Sequence, residues 1–107
     1  MRDIQSTLRS LGITRLYKGY NQLYHAISIA VSNNDGQKLT TRYFLDAAAS
    51  HTNSNWKAVE RNFRTLAARA WKINPSLLSE MAGHPLSSAP SSSDLIESIS
   101  AYVLSAD

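Results

Sequence analysis

Lys57, Arg61 and Arg64 recur at i, i+4 and i+7, and Lys72 falls on the same side of a helical wheel. One face of this segment therefore carries four cations. At 1.5 Å per residue the row from Lys57 to Arg64 is about 10 Å long, two helical turns, a length that fits the major groove of a duplex. Ala68 keeps the middle of the face small, so a helix built this way approaches a surface closely, while Glu60 and Thr65 stand on its flanks. The chemistry open to such a face is attraction of a polyanion. A basic face equally serves as a solvated surface, so the elements around it have to decide between the two.

Behind the cations, Val59, Phe63, Leu66 and Ala70 lie within about 60° of one another on the wheel and form the stripe this helix buries. Before it stands a short helix ending in Ala47-Ala48-Ala49, then the polar turn Thr52-Asn53-Ser54-Asn55. That is the order of a helix-turn-helix, whose two helices cross steeply and need small residues where they meet. Ala49 and Val59 suit the pattern, whereas Thr52 and Asn62 fall where apolar residues are usual.

Helical periodicity extends along the whole chain, and no segment alternates as a strand does between turn signals. The expected fold is all-α, a single domain of six helices. The first runs from about Asp3 to Leu11 with Gly12 as its stop, and the second from near Lys18 to the break at Ser32-Asn33-Asn34-Asp35-Gly36. The third is capped by Thr40 or Thr41 and reaches about His51, and the fourth covers about Trp56 to Lys72. A short fifth follows Asn74-Pro75 and ends at Gly83; a sixth follows the serine-rich loop 86–93 and places Leu95, Ile96, Ile99, Tyr102 and Val103 along one side. At 107 residues the chain has room for one hydrophobic core, and 43% hydrophobic with 18% charged residues is a globular composition.

Charge is divided along the chain. Through Lys72 there are eleven basic residues against four acidic ones, a surplus of seven; the remainder holds four acidic residues and no Lys or Arg. Such a division points to nucleic acid or another anionic surface as partner. There is no cysteine, which excludes disulfides, a thiol nucleophile and thiolate metal sites. No apolar run approaches the ~20 residues that cross a bilayer, so the expected location is the cytoplasm, with no membrane contact.

Other chemistry is poorly served. His25, His51 and His84 are expected to lie far apart without a second ligand at i+3 or i+4, so no metal site is expected. Asp46, Ser50 and His51 sit too close on one helix to converge as a triad, so the chain is not expected to be an enzyme or to hold a cofactor. Tyr20, Tyr24 and Trp71 adjoin apolar stripes and are expected in the core rather than stacked on bases. Asn33-Asn34-Asp35-Gly36 lacks the ligands of a calcium loop and is expected to be a turn.

The segments Lys18-Gly19-Tyr20, Ala26-Ile27, Val59-Glu60-Arg61, Arg64, Ala70-Trp71, Met81-Ala82-Gly83-His84 and Pro90-Ser91-Ser92-Ser93-Asp94-Leu95-Ile96, in this order, resemble the DNA-binding effector domain of the stage 0 sporulation protein A family. The resemblance implies a helix-turn-helix effector domain over residues 1–107 of a bacterial sporulation response regulator, with the fourth helix in the major groove of double-stranded DNA and tandem TGTCGAA-type boxes as targets. It implies Glu60, Arg61 and Arg64 as base-contacting residues. Arg bridges O6 and N7 of guanine and Glu accepts from the cytosine amino group, chemistry that suits a box containing CG. Ser54, Asn55, Lys57, Thr65 and Lys72 are the expected phosphate or flanking contacts. Where the family has a further Arg and a His, Ala58 and Thr65 stand here, so an altered base preference is expected. The resemblance also implies a sigma-subunit contact of RNA polymerase over Pro75 to His84. The family's receiver domain has no counterpart in these residues. A monomer is expected without DNA and a dimer on tandem sites, with the last helix as a candidate contact. The alternative is a helical protein-interaction module that docks an acidic partner on its basic face.

Overall fold

Five of the helices start where a short polar side chain caps a free N–H. Asp3 accepts from Ser6, Thr40 from Tyr43, Asn55 from Ala58, Asn74 from Leu77 and Ser91 from Asp94. The computed structural model describes residues 1–33 and 38–105. In them lie α1 (Ile4–Ser10), α2 (Tyr20–Ser32), α3 (Thr41–His51), α4 (Trp56–Ile73), α5 (Pro75–Ala82) and α6 (Ser92–Leu104). The fold is all-α, as expected. The turn expected over 33–36 lies, apart from Asn33, outside the described residues.

Two boundaries differ from the expectation. α6 begins at Ser92, inside the loop expected over 86–93, because the Ser91 side chain accepts from the Asp94 N–H and caps its first turn. α2 begins at Tyr20 rather than near Lys18, because Gly19 takes a left-handed φ of 92° and carries no side chain to cap the helix. Gly19 also sits against α4, where a Cβ would stand 2.7 Å from Asn62 Cβ. Glycine is therefore required there twice over, by conformation and by space.

α2 packs most extensively on α6 and α3; α4 rests on α3, α5 and α6, and α1 closes against α2 and α6. Every helix contributes to one core: Leu8, Leu23, Ile27, Ala48, Val59, Phe63, Leu66, Ala70, Leu78, Leu95, Ile99 and Val103 are all fully buried. The N-terminus is tied to α6 by the Arg2 N–H donating to Val103 O at 2.9 Å and the Arg2 guanidinium to Tyr102 O at 2.6 Å. The radius of gyration is 12.6 Å, against about 13 Å for one domain of this length. No helix among the described residues is long and apolar enough to cross a membrane.

The loop of residues 11–19 is strapped along one flank of α4. Arg69 Nε donates to Gly12 O at 3.4 Å, its guanidinium lies 5.1 Å from the Tyr17 ring centroid, and Asn74 Nδ2 donates to Ser10 O at 3.1 Å.

Candidate nucleic-acid interface

The turn between α3 and α4 is held by its own backbone. The Ser54 N–H donates to Ala49 O at 2.8 Å and the Asn53 N–H to Ser50 O at 3.4 Å. These are the paired bonds that close a helix with a left-handed residue after its cap. That residue is Asn53, at φ 55°; asparagine tolerates this conformation better than most non-glycine residues. Asn55 then caps α4 with its side-chain oxygen at 3.0 Å from the Ala58 N–H. Ala48 and Ala49 of α3 and Val59 and Phe63 of α4 are all buried, and the two helices pack on each other. Small residues here bring the two helices close enough for the turn to close.

This packing orients α4. With Val59, Phe63, Leu66 and Ala70 inward, Lys57, Arg61, Arg64, Thr65, Ala68 and Lys72 are all exposed. Arg61 makes no side-chain hydrogen bond or ion pair among the described residues. Arg64 Nη2 lies 3.6 Å from Glu60 Oε1, with the two side chains 67% and 39% exposed. An i,i+4 pair so open to water costs little to break, so it aligns the two groups without sequestering them. Thr65 Oγ1 donates back to Arg61 O at 3.1 Å, leaving its methyl group and oxygen lone pairs outward.

The flanking candidates differ in what they have left to offer. Ser54 is exposed with its N–H already used by Ala49, so its hydroxyl is its free group. Asn55 uses its oxygen as the cap and retains its amide NH₂. Lys57 is exposed, its ammonium 5.8 Å from the Trp56 ring centroid. Arg42 stacks on the same ring at 4.0 Å while its Nε pairs with Asp46 at 3.1 Å. Trp56 thus joins the front of α3 to the first turn of α4, a contact with no local signal in the sequence.

Thr52 and Asn62, the two polar departures from the usual pattern, are explained by a residue that sequence reading did not single out. Buried Gln22 of α2 donates from Nε2 to Thr52 Oγ1 at 2.9 Å and accepts at Oε1 from Asn62 Nδ2 at 2.9 Å. Thr52 Oγ1 in turn donates to Ala48 O at 2.8 Å. One amide therefore ties α2 to both the turn and α4, setting the pose of the basic face relative to the rest of the fold.

The histidines require a correction. His25 and His51 are not far apart: their rings stack with centroids 4.0 Å apart and planes within 1°. They line an open cleft of about 550 Å³ with Asn21, Tyr24, Ser28 and Thr52. Burial, and then the neighbouring His51, lower the pKa of His25 below the ordinary imidazole range. Among the described residues no three His, Cys, Asp or Glu side chains converge as a metal-binding group. Of the aromatics expected inside, Tyr20 is buried and Trp71 packs on the core, but Tyr24 is 37% exposed.

Residues 4–103 match the family described as Sporulation initiation factor Spo0A C terminal. The chain belongs to that family. The Spo0A C-terminal family is the DNA-binding domain of a sporulation regulator, so the chain is a DNA-binding domain of transcription regulation rather than a member of an enzyme family. No match to a curated protein or to a solved structure was found. Within the Spo0A C-terminal fold seen here, the segments that carry the resemblance divide by burial. Tyr20, Ala26, Ile27, Val59, Ala70 and Met81 build the core, and Gly83 and Ser91 bound helices. Lys18, Arg61 and Arg64 are exposed, and packing does not account for them.

Proposed function

We propose that the chain reads double-stranded DNA by sequence, with α4 lying in the major groove and Glu60, Arg61 and Arg64 facing base edges. The observation that carries this reading is the unobstructed basic face of α4, opposite a fully buried stripe, with Arg61 free of intramolecular partners among the described residues. Arg61 and Arg64 each have the planar fork that spans O6 and N7 of guanine, and Glu60 accepts from a cytosine amino group while staying beside Arg64. Ser54, Asn55, Lys57, Thr65 and Lys72 supply hydroxyl, amide and ammonium contacts along about 25 Å of turn and helix.

In this reading residues 1–107 act as the effector unit of a sporulation-type regulator, monomeric when free and paired on tandem boxes related to TGTCGAA. Ala58 and Thr65 remove an Arg fork and an imidazole from the reading face, so the preferred box departs from that sequence. The segment from Pro75 to His84, with exposed Glu80 and His84, is the surface offered to the polymerase sigma subunit. Family membership is the support for the tandem boxes and the sigma contact.

Selection of bound duplexes from a random library tests the central claim. A box containing CG is expected. Arg61→Ala and Arg64→Ala should each relax preference at one position by about 1 to 3 kcal/mol, whereas Lys57→Ala weakens all duplexes alike. Equal, sequence-blind losses for all three variants would remove base readout, leaving a basic face suited to any polyanion, including an acidic protein.

A further inference from the structure

We infer that the loop between α1 and α2, residues 11–19, is a second DNA contact, with Arg15 and Lys18 meeting the sugar–phosphate backbone on one rim of the groove that α4 enters. This rests on the proposed placement of α4. An α-helix with its side chains is about 10–12 Å across and the major groove about 12 Å wide. A helix that fills the groove brings whatever flanks it to the two phosphate rims.

The flanks are identifiable. Asn62, Arg69 and Ile73, which touch the loop, lie roughly 100–140° around α4 from the centre of its basic face. Trp56, which touches α3 through Arg42, lies about 120° in the opposite sense. The basic face therefore runs between α3 on one side and the loop on the other. The loop is held there by Arg69, by the ring of Tyr17 and by the close approach of Gly19 to Asn62, so it meets a duplex already positioned.

Its outward groups suit a polyanion. Lys18 is exposed and its ammonium has no intramolecular partner among the described residues; Arg15 is exposed and makes only a 3.4 Å contact to Gln5 Oε1. Between Asp3 and Asp35 the chain contains no acidic residue. Leu16, between the two cations, is 94% exposed, the highest value among the large apolar side chains that lie open. Packing inside the fold does not explain it, whereas the apolar face of a deoxyribose beside a contacted phosphate does. Arg15 and Leu16 also border Gln5 and Arg9 of α1, and the charge of this surface is complementary to the rim.

The test uses the full chain carrying Arg15→Ala and Lys18→Ala together, both exposed changes, with an unchanged thermal melt as the check on folding. Binding is measured to the selected duplex and to a scrambled one between 50 and 200 mM salt. Two lost phosphate contacts should lower the salt slope by about 2, so the affinity gap to the unaltered chain narrows about 12-fold across that range. Preference for the selected box should not change. A methylphosphonate scan should reveal phosphates whose neutralisation weakens the unaltered chain but not the double variant. Lys38→Ala, beside Ser93 and Glu97 of α6, controls for net charge and should keep the parental scan. An unchanged slope and an unchanged scan in the double variant would overturn the loop contact alone, leaving base readout standing. If the unaltered chain binds no duplex at low salt, both readings fall. Unchanged duplex binding with loss of binding to polyglutamate would assign the loop to an acidic protein instead.

Discussion

Replacing Gln22 with methionine, which keeps the length of the side chain and removes its polar atoms, tests whether one amide holds α2, the turn and α4 together. Two hydrogen bonds of 2.9 Å are lost, to Thr52 and from Asn62. At about 1 kcal/mol net for each, the expected destabilisation is about 2 kcal/mol. Thr52 keeps its bond to Ala48 O, and Asn62 is only half-buried, so neither partner incurs the full cost of a dry, unpaired group. For a domain of this size the change lowers Tm by roughly 10 °C. Urea unfolding with an unchanged m-value would place the loss in the native state. The decisive comparison is the triple variant Gln22→Met, Thr52→Val, Asn62→Leu, in which every partner becomes an apolar group of similar shape. Replacing a whole network in this way is close to neutral, so most of the lost stability should return. Gln22→Met within 0.5 kcal/mol of the parent, or a triple variant as weak as the sum of its singles, would refute the bridge.

Other outcomes follow from the same geometry. Gly19→Ala combines an unfavourable left-handed φ with a Cβ 2.7 Å from Asn62 Cβ; it should cost about 2 kcal/mol or more by urea unfolding, and a loss below 0.5 kcal/mol would mean the α2–α4 approach relaxes freely. Asn55→Ala removes the cap of α4 and should cost about 1 kcal/mol, measured as a shift in the urea midpoint, with Asn55→Asp retaining most of it. His25 has its pKa lowered by burial and then by His51, so the unfolded chain takes up its proton first as pH falls. Stability should therefore decline from the ordinary imidazole pKa of about 6.5 down through the folded value, and level off below it. His25→Gln should flatten that part of a Tm-versus-pH curve; an unaltered curve would show that the stacked pair does not carry the dependence.

What could be read from order alone was the set of helices, their caps and the two faces of α4. Helix starts at Thr40 and Asn55 and the inward stripe of Val59, Phe63, Leu66 and Ala70 depend on neighbours three or four residues away, an interval that linear spacing reports directly. The Gln22 bridge joins residues 30 and 40 apart. The His25–His51 stack joins two helices, and the loop of residues 11–19 meets α4 some fifty residues further on. None of these has a periodicity to betray it, because each depends on how helices cross once their apolar faces have met. The sequence by itself determined that α4 would be a basic, amphipathic helix. Only tertiary packing decided that the polar residues behind its turn would satisfy one another, that two histidines would touch, and that the loop of residues 11–19 would be held against a flank of α4. Local spacing sets which side of a helix is buried, whereas the partner against which it is buried is chosen by the shape of the whole core.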